Sequence, residues 1–330
     1  MLIFRFSALG DILMSVPVVD ALARQYPEVN FVFVSRPFVE SIMSLLPDNV
    51  SFVGVDLKQY QGIKGLNRLF RKLMELNPTH IADLHDVIRT QFLRVRFAMK
   101  GLPVSYIHKD RRQRRKFIRA DKKTQQRTSF ERYQDVFADL GFPVKMDFRQ
   151  PFSLLPSAVV KENAIGIAPF AAHQGKIYPL EMMEKVVSIL AKKTHVYLFG
   201  AGEDEKLLME QWAEKYPNVE SVVGKLGNMA NELRLMSRLK LVLTMDSGNM
   251  HLASLAGIPV VSIWGATHPM GGFLGWGQSM DSVLQKEFSC RPCSIYGNKS
   301  CRFGDWRCLR SITPEEVVQA ATLKLKTEIK

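Results

Sequence analysis

A chain of 330 residues with 46% hydrophobic content can build two cores of ordinary size and is too apolar to stay disordered. Its formal charge of +13 is unevenly spread, because residues 1–150 hold 25 Lys and Arg against 15 Asp and Glu, an excess of 10 that leaves only 3 for the rest. Arg5 and Asp11 interrupt the apolar N-terminus, and Gly257 and Pro259 break the stretch 252–266 short of the roughly 20 residues that span a bilayer, so a cytoplasmic protein without signal peptide or membrane span is expected.

Strand-like and helix-like runs alternate from the first residue. LIFRF precedes a helix from about Asp11 to Gln25, NFVFVS a helix near Val39, VSFVGVD one from about Ile63, HIADLH one through Phe97, and VSYIH closes the series. Repeated βαβ predicts a parallel sheet covered on both faces. A less regular basic stretch follows, with a helix near 130–140, and the proline-containing 150–163 reads as an interdomain linker. The pattern then restarts with AIGIAP, HVYLFG, VESVVG, LVLTMD and PVVSIWG, each but the last followed by a helix, and TPEEVVQAATLKLK ends the chain with Thr313 as cap. Two doubly wound α/β domains of about 150 residues each are expected, with a cleft between facing sheet edges.

The densest polar signal is TMDSGNMHLASLAG, 244–257, where an acid, a hydroxyl and a glycine stand between an apolar strand and a helix. Such a turn lies at the carboxyl end of a parallel sheet, where ligands bind and helix N–H groups favour an anion. Neither G-x-G-x-x-G after the first strand nor a P-loop occurs, which argues against a nicotinamide enzyme and a P-loop nucleotidase. The run KDRRQRRKFIR, 109–119, continued by Lys122, Lys123 and Arg127, suits anionic lipid, a phosphorylated substrate or nucleic acid, or is a solvated loop. It lacks the interleaved aromatics that stack bases. Cys290, Cys293, Cys301 and Cys308 fall in one short segment whose spacing allows a structural zinc or free thiols, while a reducing cytoplasm disfavours disulfides.

FSALGDILMSVPVVDALARQYP (6–27), GKIYPLE (175–181) and MDSGNMHLASLAGIPVVSIWGATHP (245–269) together resemble glycosyltransferase family 9, which contains the ADP-heptose:lipopolysaccharide heptosyltransferases. The resemblance implies a GT-B fold of two Rossmann-like domains facing a central cleft. Residues 1–155 would bind the acceptor and 156–330 the nucleotide sugar, with the C-terminal helix able to pack back on the first domain. It implies ADP-heptose as donor, a lipid-linked phosphorylated oligosaccharide of the lipopolysaccharide inner core as acceptor, and inversion at the anomeric carbon without a metal; the basic segment from Lys109 to Lys123 would then recruit that acceptor in peripheral contact with the anionic inner face of the inner membrane. Ile177 and Tyr178 stand where members commonly carry Arg-Trp.

A diphosphate leaves as a stabilised anion, so one base and one cationic or dipolar site meet the chemistry of such a transfer. By the resemblance Asp11 is the base, although Asp at a helix start also reads as an ordinary N-cap. Lys176 would reach the diphosphate or lie in solvent. Asp246, Ser247 and Gly248 form the anion-binding turn, with the carboxylate of Asp246 orienting the turn or touching sugar rather than phosphate. His251 either donates to phosphate or is structural. Glu203 accepts from ribose hydroxyls or is one of three acids, with Asp204 and Glu205, at a charged helix start. The competing functions are a nucleic-acid-binding protein and a non-catalytic nucleotide-sugar-binding protein.

Overall fold

Short, largely apolar runs such as LIF, IAD, AIGIA, VLTM and VVSI, buried at every residue, make the central parallel strands on which both halves of the chain are built. The computed structural model describes residues 1–146 and 162–327; all but the last two residues of the predicted linker 150–163 lie outside them. The described residues form two compact units, one built mainly on 1–109 and 129–146, the other on 110–128, 162–227 and 231–327.

The first unit runs β1 (Leu2–Phe4), α1 (Leu9–Gln25), β2 (Phe31–Ser35), α2 (Glu40–Met43), β3 (Val50–Gly54), α3 (Gly62–Met74), β4 (Ile81–Asp83), α4 (Ile88–Ala98) and β5 (Val104–Tyr106). After the basic α5 (Arg111–Arg119), α6 (Ser129–Asp139) returns to pack on α1. The sheet order is β3-β2-β1-β4-β5, parallel throughout. The chain leaves β1 towards β2 but leaves β4 towards β5, so the topological switch point, and the crevice it opens, lies between β1 and β4. α3 and α4 pack together on one face, where Leu69, Phe70, Leu73, Leu93 and Phe97 join Phe4 and Ile81 in a core.

The second unit runs β6 (Ala164–Ala168), α7 (Leu180–Leu190), β7 (His195–Leu198), α8 (Glu203–Lys215), β8 (Val219–Ser221), α9 (Met229–Arg238), β9 (Val242–Met245), α10 (Gly248–Leu255), β10 (Val260–Ile263), β11 (Val283–Leu284), α11 (Arg307–Arg310) and α12 (Pro314–Thr327). Its sheet order, β11-β10-β9-β6-β7-β8, puts the switch point between β6 and β9. α12 starts with a reciprocal cap, in which Thr313 Oγ1 accepts from the Glu316 N–H at 3.2 Å and Glu316 from the Thr313 N–H at 2.8 Å. It packs on α7, and its Val317 and Ala321 belong to the second unit's own core.

The basic stretch 110–128 is more ordered than its composition suggests. Arg and Lys are good helix formers, and α5 buries one face of Arg114 and Phe117. The Arg114 guanidinium stands 5.3 Å from the Phe273 ring centroid and 5.6 Å from that of Tyr296, whose hydroxyl it also bonds at 2.5 Å, and Phe117 lies edge-on to His268. Cation–π contact with the buried Phe273 ring and the more exposed Tyr296 ring offsets part of the repulsion among like charges on such a helix.

Candidate active site

Asp11 lies just past the carboxyl end of β1, on the first unit's switch point. α1 begins at Leu9, two residues earlier than expected, so Asp11 is the third helical residue and not the N-cap. Its Oδ2 reaches back to the Ala8 N–H at 3.3 Å and pairs with Arg5 Nη2 at 2.5 Å. Oδ1 has no partner among the described residues. Arg5 is buried and also donates to the Leu84 carbonyl, so the cation is fixed from two sides while it holds one carboxylate oxygen. Tyr133 on α6 donates to the Asp11 carbonyl at 3.1 Å, tying the start of α1 in place.

Across the switch point, the turn after β4 supplies His85, whose Nε2 lies 3.1 Å from Ser7 Oγ. Burial, then the nearby Arg5, Lys109 and Arg89, push the imidazole down to about 3 against the opposing pull of Asp11, so the ring is neutral at any physiological pH. The turn is knotted by fully buried Asp83, which accepts from the His85 and Asp86 N–H groups at 2.9 and 3.0 Å and from Arg94 at 3.2 Å. Burial raises the Asp83 carboxyl despite these bonds. The sequence shows Arg5 only as a charge interrupting an apolar N-terminus and gives no site role to it or to His85, for which an arginine inside LIFRF and a histidine ending HIADLH are the available signals.

The second unit's switch point brings the other candidates together. The loop after β6 carries Lys176, the turn after β9 carries Asp246, and Lys176 Nζ stands 2.8 Å from Asp246 Oδ2. Thr267, in the loop after β10, donates to the same oxygen at 2.8 Å. Asp246 is nearly buried and so draws both groups inward. The loops can approach this closely because the Ala266 N–H bonds the Gly175 carbonyl at 2.8 Å, and a Cβ on Gly265 would stand 2.6 Å from that carbonyl oxygen. Arg291, also buried, braces the β10 loop through the Trp264, Gly265 and Thr267 carbonyls.

Ser247 is the N-cap of α10 in extended conformation, yet its hydroxyl makes no capping bond and sits 3.1 Å from Thr244 Oγ1. The helix start therefore keeps its N–H dipoles without a side-chain cap, and Gly248 at the first position adds no side chain between them and an anion. His251, one turn further on, is buried. Glu203 opens α8 with its side chain exposed, whereas Glu205 turns back so that its Oε2 accepts from the Ala201 N–H at 2.8 Å. Burial raises the Glu205 carboxyl. Of the three acids, Glu205 is the one that shapes the loop after β7. Tyr178 is part of the core, bonding the Ile312 carbonyl at 2.6 Å.

The four cysteines are free thiols, and among the described residues no three His, Cys, Asp or Glu side chains are grouped to hold a metal ion. Arg291 lies within electrostatic reach of Cys290, Cys293 and Cys308, and a buried guanidinium there opposes a second cation. Burial pushes the Cys308 thiol up to about 11. Of the two readings the spacing allows, free thiols or a structural zinc, the zinc finds no support among the described residues.

Two switch-point sites, one with a directed carboxylate and one with a cation beside a helix start, accord with the sequence match. Residues 66–304 match glycosyltransferase family 9 (heptosyltransferase). The chain belongs to glycosyltransferase family 9. This family 9 protein is 25% identical over 197 residues to lipooligosaccharide heptosyltransferase 2 of Campylobacter jejuni, a match covering 58% of each chain, so it spans a little under three fifths of that curated relative. It is 23% identical over 323 residues to lipopolysaccharide heptosyltransferase 1 of Pseudomonas aeruginosa, covering 92% of this chain and 87% of that one. The solved ADP-heptose lipopolysaccharide heptosyltransferase II of Escherichia coli superimposes with a TM-score of 0.71 at 18% identity, covering 100% and 99% of the two chains. That likeness gives the family 9 protein the GT-B fold of two parallel-sheet α/β domains.

Proposed function

We propose that this protein transfers a heptose from ADP-heptose to a phosphorylated, lipid-linked saccharide of the lipopolysaccharide inner core, with inversion at the anomeric carbon and without a metal. Family membership supports the reaction class, and the likeness to lipooligosaccharide, lipopolysaccharide and ADP-heptose heptosyltransferases supports donor and acceptor. The observation that carries the reading is the division of labour between the switch points. Asp11 offers an oxygen that neither Ala8 nor Arg5 engages, while Lys176 and the uncapped start of α10 offer positive charge to a diphosphate.

In the transfer, an acceptor hydroxyl oxygen attacks the anomeric carbon as the bond to the β-phosphate oxygen breaks. The hydroxyl proton passes to Asp11, and ADP departs carrying the electron pair. Lys176 shifts from Asp246 towards the diphosphate, and Asp246, still held by Thr267, keeps the loop in place. Ser247, Gly248 and His251 belong to the same turn and helix start, and Glu203, exposed at the start of α8, accepts from the ribose hydroxyls in this reading. Five cations, Arg111, Arg112, Arg115, Lys116 and Arg119, line a concavity of about 450 Å³ on α5, which suits the acceptor's phosphates.

The deciding experiment measures nucleoside diphosphate release over a panel of nucleotide sugars with truncated core acceptors. ADP release that requires both ADP-heptose and a phosphorylated acceptor is expected. Release with a UDP-sugar only, or donor hydrolysis indifferent to acceptor, would overturn the proposal.

A further inference from the structure

α3 and α4 cover one face of the first unit's sheet, and their inner sides are spent on the core. The outer side of α4 is unusual. Ile88 is 85% exposed, Val95 59% and Met99, just past the helix end, 73%. At about 100° of turn per residue these three positions fall within about 40° of one another, opposite Leu93 and Phe97, which are buried. An aliphatic stripe aligned along a helix and aimed away from the core gains nothing from folding, and exposed apolar stripes of this kind mark contact surfaces.

The charge around the stripe selects the kind of partner. Along its whole length α3 has Lys64, Arg68, Arg71 and Lys72 and no acid; α4 has Arg89, Arg94 and Arg96 and no acid. The nearest acids flank the helices: Glu75 follows α3, and Asp86, before α4, is paired with Arg94. Lys64, Arg71 and Lys72 are exposed. Aliphatic side chains among cations on one face match an anionic bilayer, whose headgroups pair with the cations while the aliphatics enter the acyl boundary. α5 differs: its exposed side chains are cationic and polar with no exposed aliphatic, which suits phosphate but not the apolar interior of a membrane.

We propose that the outer face of α3 and α4 docks the protein on an anionic lipid bilayer. Ile88 lies three residues beyond His85, which bonds Ser7 beside the Asp11 turn, so the end of the stripe nearest the carboxylate would lie at the surface from which a lipid-linked acceptor is drawn. That last step rests on the proposed transfer, whereas the docking itself does not.

The test is co-sedimentation of the full chain with phosphatidylethanolamine–phosphatidylglycerol vesicles and with phosphatidylcholine vesicles, at low and high salt, without donor or acceptor. The unaltered chain should bind the anionic vesicles alone and release partly with salt. Lys64→Ser/Arg71→Ser/Lys72→Ser should lower that binding roughly a hundredfold at low salt and flatten its salt dependence, each cation near the surface being worth about fivefold. Ile88→Ser/Val95→Ser/Met99→Ser should lose binding at both salts. Arg111→Ser/Arg112→Ser/Arg115→Ser should bind as the unaltered chain does. All substituted positions are exposed, and thermal melting verifies each fold. The proposal is overturned by an unaltered chain that ignores anionic vesicles, by binding that only the α5 variant loses, or by an aliphatic variant that changes oligomeric state and not vesicle binding. Transfer onto a delipidated, water-soluble acceptor should be the same in all but the α5 variant; its absence from the unaltered chain would sink the transfer reading and leave the docking result standing.

Discussion

Replacing Asp11 by Asn separates a base from a clamp. The carboxylate does both jobs, since Oδ2 holds the Ala8 N–H and buried Arg5 while Oδ1 has no partner among the described residues. Asn keeps the shape and a capping oxygen but leaves the Arg5 guanidinium facing a neutral group. Breaking a fully buried pair costs about 3–5 kcal/mol. Here the Asp11 side chain is 21% exposed and Arg5 retains the Leu84 carbonyl, so we expect a smaller loss of about 1–3 kcal/mol and a fall in Tm of about 3–10 °C for a unit of this size. Turnover should fall far more, by about 10² to 10⁴, equivalent to about 3–5 kcal/mol of barrier. The two effects do not share a cause: a domain stable by about 5–15 kcal/mol that loses 3 stays almost wholly folded at 25 °C. The assay is steady-state transfer at saturating ADP-heptose and acceptor, with thermal unfolding and ADP titration of the same protein. Arg5→Met serves as a control that damages the clamp but keeps the carboxylate, and it should lose comparable stability with a smaller loss of rate. A lowered Tm with near-normal turnover in Asp11→Asn would show that Asp11 is a structural clamp and remove it from the mechanism.

Lys176→Met should lower turnover by about 10² to 10³, as for other groups that stabilise leaving-group charge, and weaken ADP in isothermal titration; unchanged rates would mean that the lysine serves only to neutralise Asp246. Gly265→Ala should cost about 1–3 kcal/mol in denaturant melts, because the new methyl would meet the Gly175 carbonyl oxygen and Leu309 Cγ, each at 2.6 Å, and the backbone oxygen cannot move without parting the Lys176 and Thr267 loops. Burial pushes the Glu232 carboxyl on α9 up to about 7 from the 4.5 usual for a glutamate. The folded state thus favours the protonated acid, a stabilisation fully present below about 4.5 and lost as pH rises through about 7. Glu232→Gln should therefore match the parent near pH 4 and exceed it by about 1–3 kcal/mol at pH 8, and a gain that is the same at both values would refute the assignment.

The alternation of apolar runs with helix-period segments was enough to read two doubly wound units in order, because interior parallel strands have no solvent face and appear as short, largely apolar runs such as AIGIA and VLTM. Local chemistry was equally legible: the Thr313–Glu316 cap follows from residue types three apart. The turn from Met245 to Gly248 was placed at a sheet's carboxyl end by its flanks alone. What residue types could not supply was pairing between distant segments. Arg5 meets the Leu84 carbonyl, His85 meets Ser7, and Lys176 and Thr267 meet Asp246 because strand order decides which loops are neighbours, and strand order is set by packing over the whole unit. The same holds for the acid that shapes the β7 loop. Glu203, Asp204 and Glu205 are equivalent as charges at a helix start, and only the path of the chain over Gly200 turns Glu205 back to the Ala201 N–H. It holds too for α5, whose composition reads as a solvated run until Phe273 and Tyr296 are brought against Arg114. Sequence spacing carries the contacts that secondary structure makes within a few residues, whereas contacts across a sheet depend on topology, and a site at a switch point is made of such contacts.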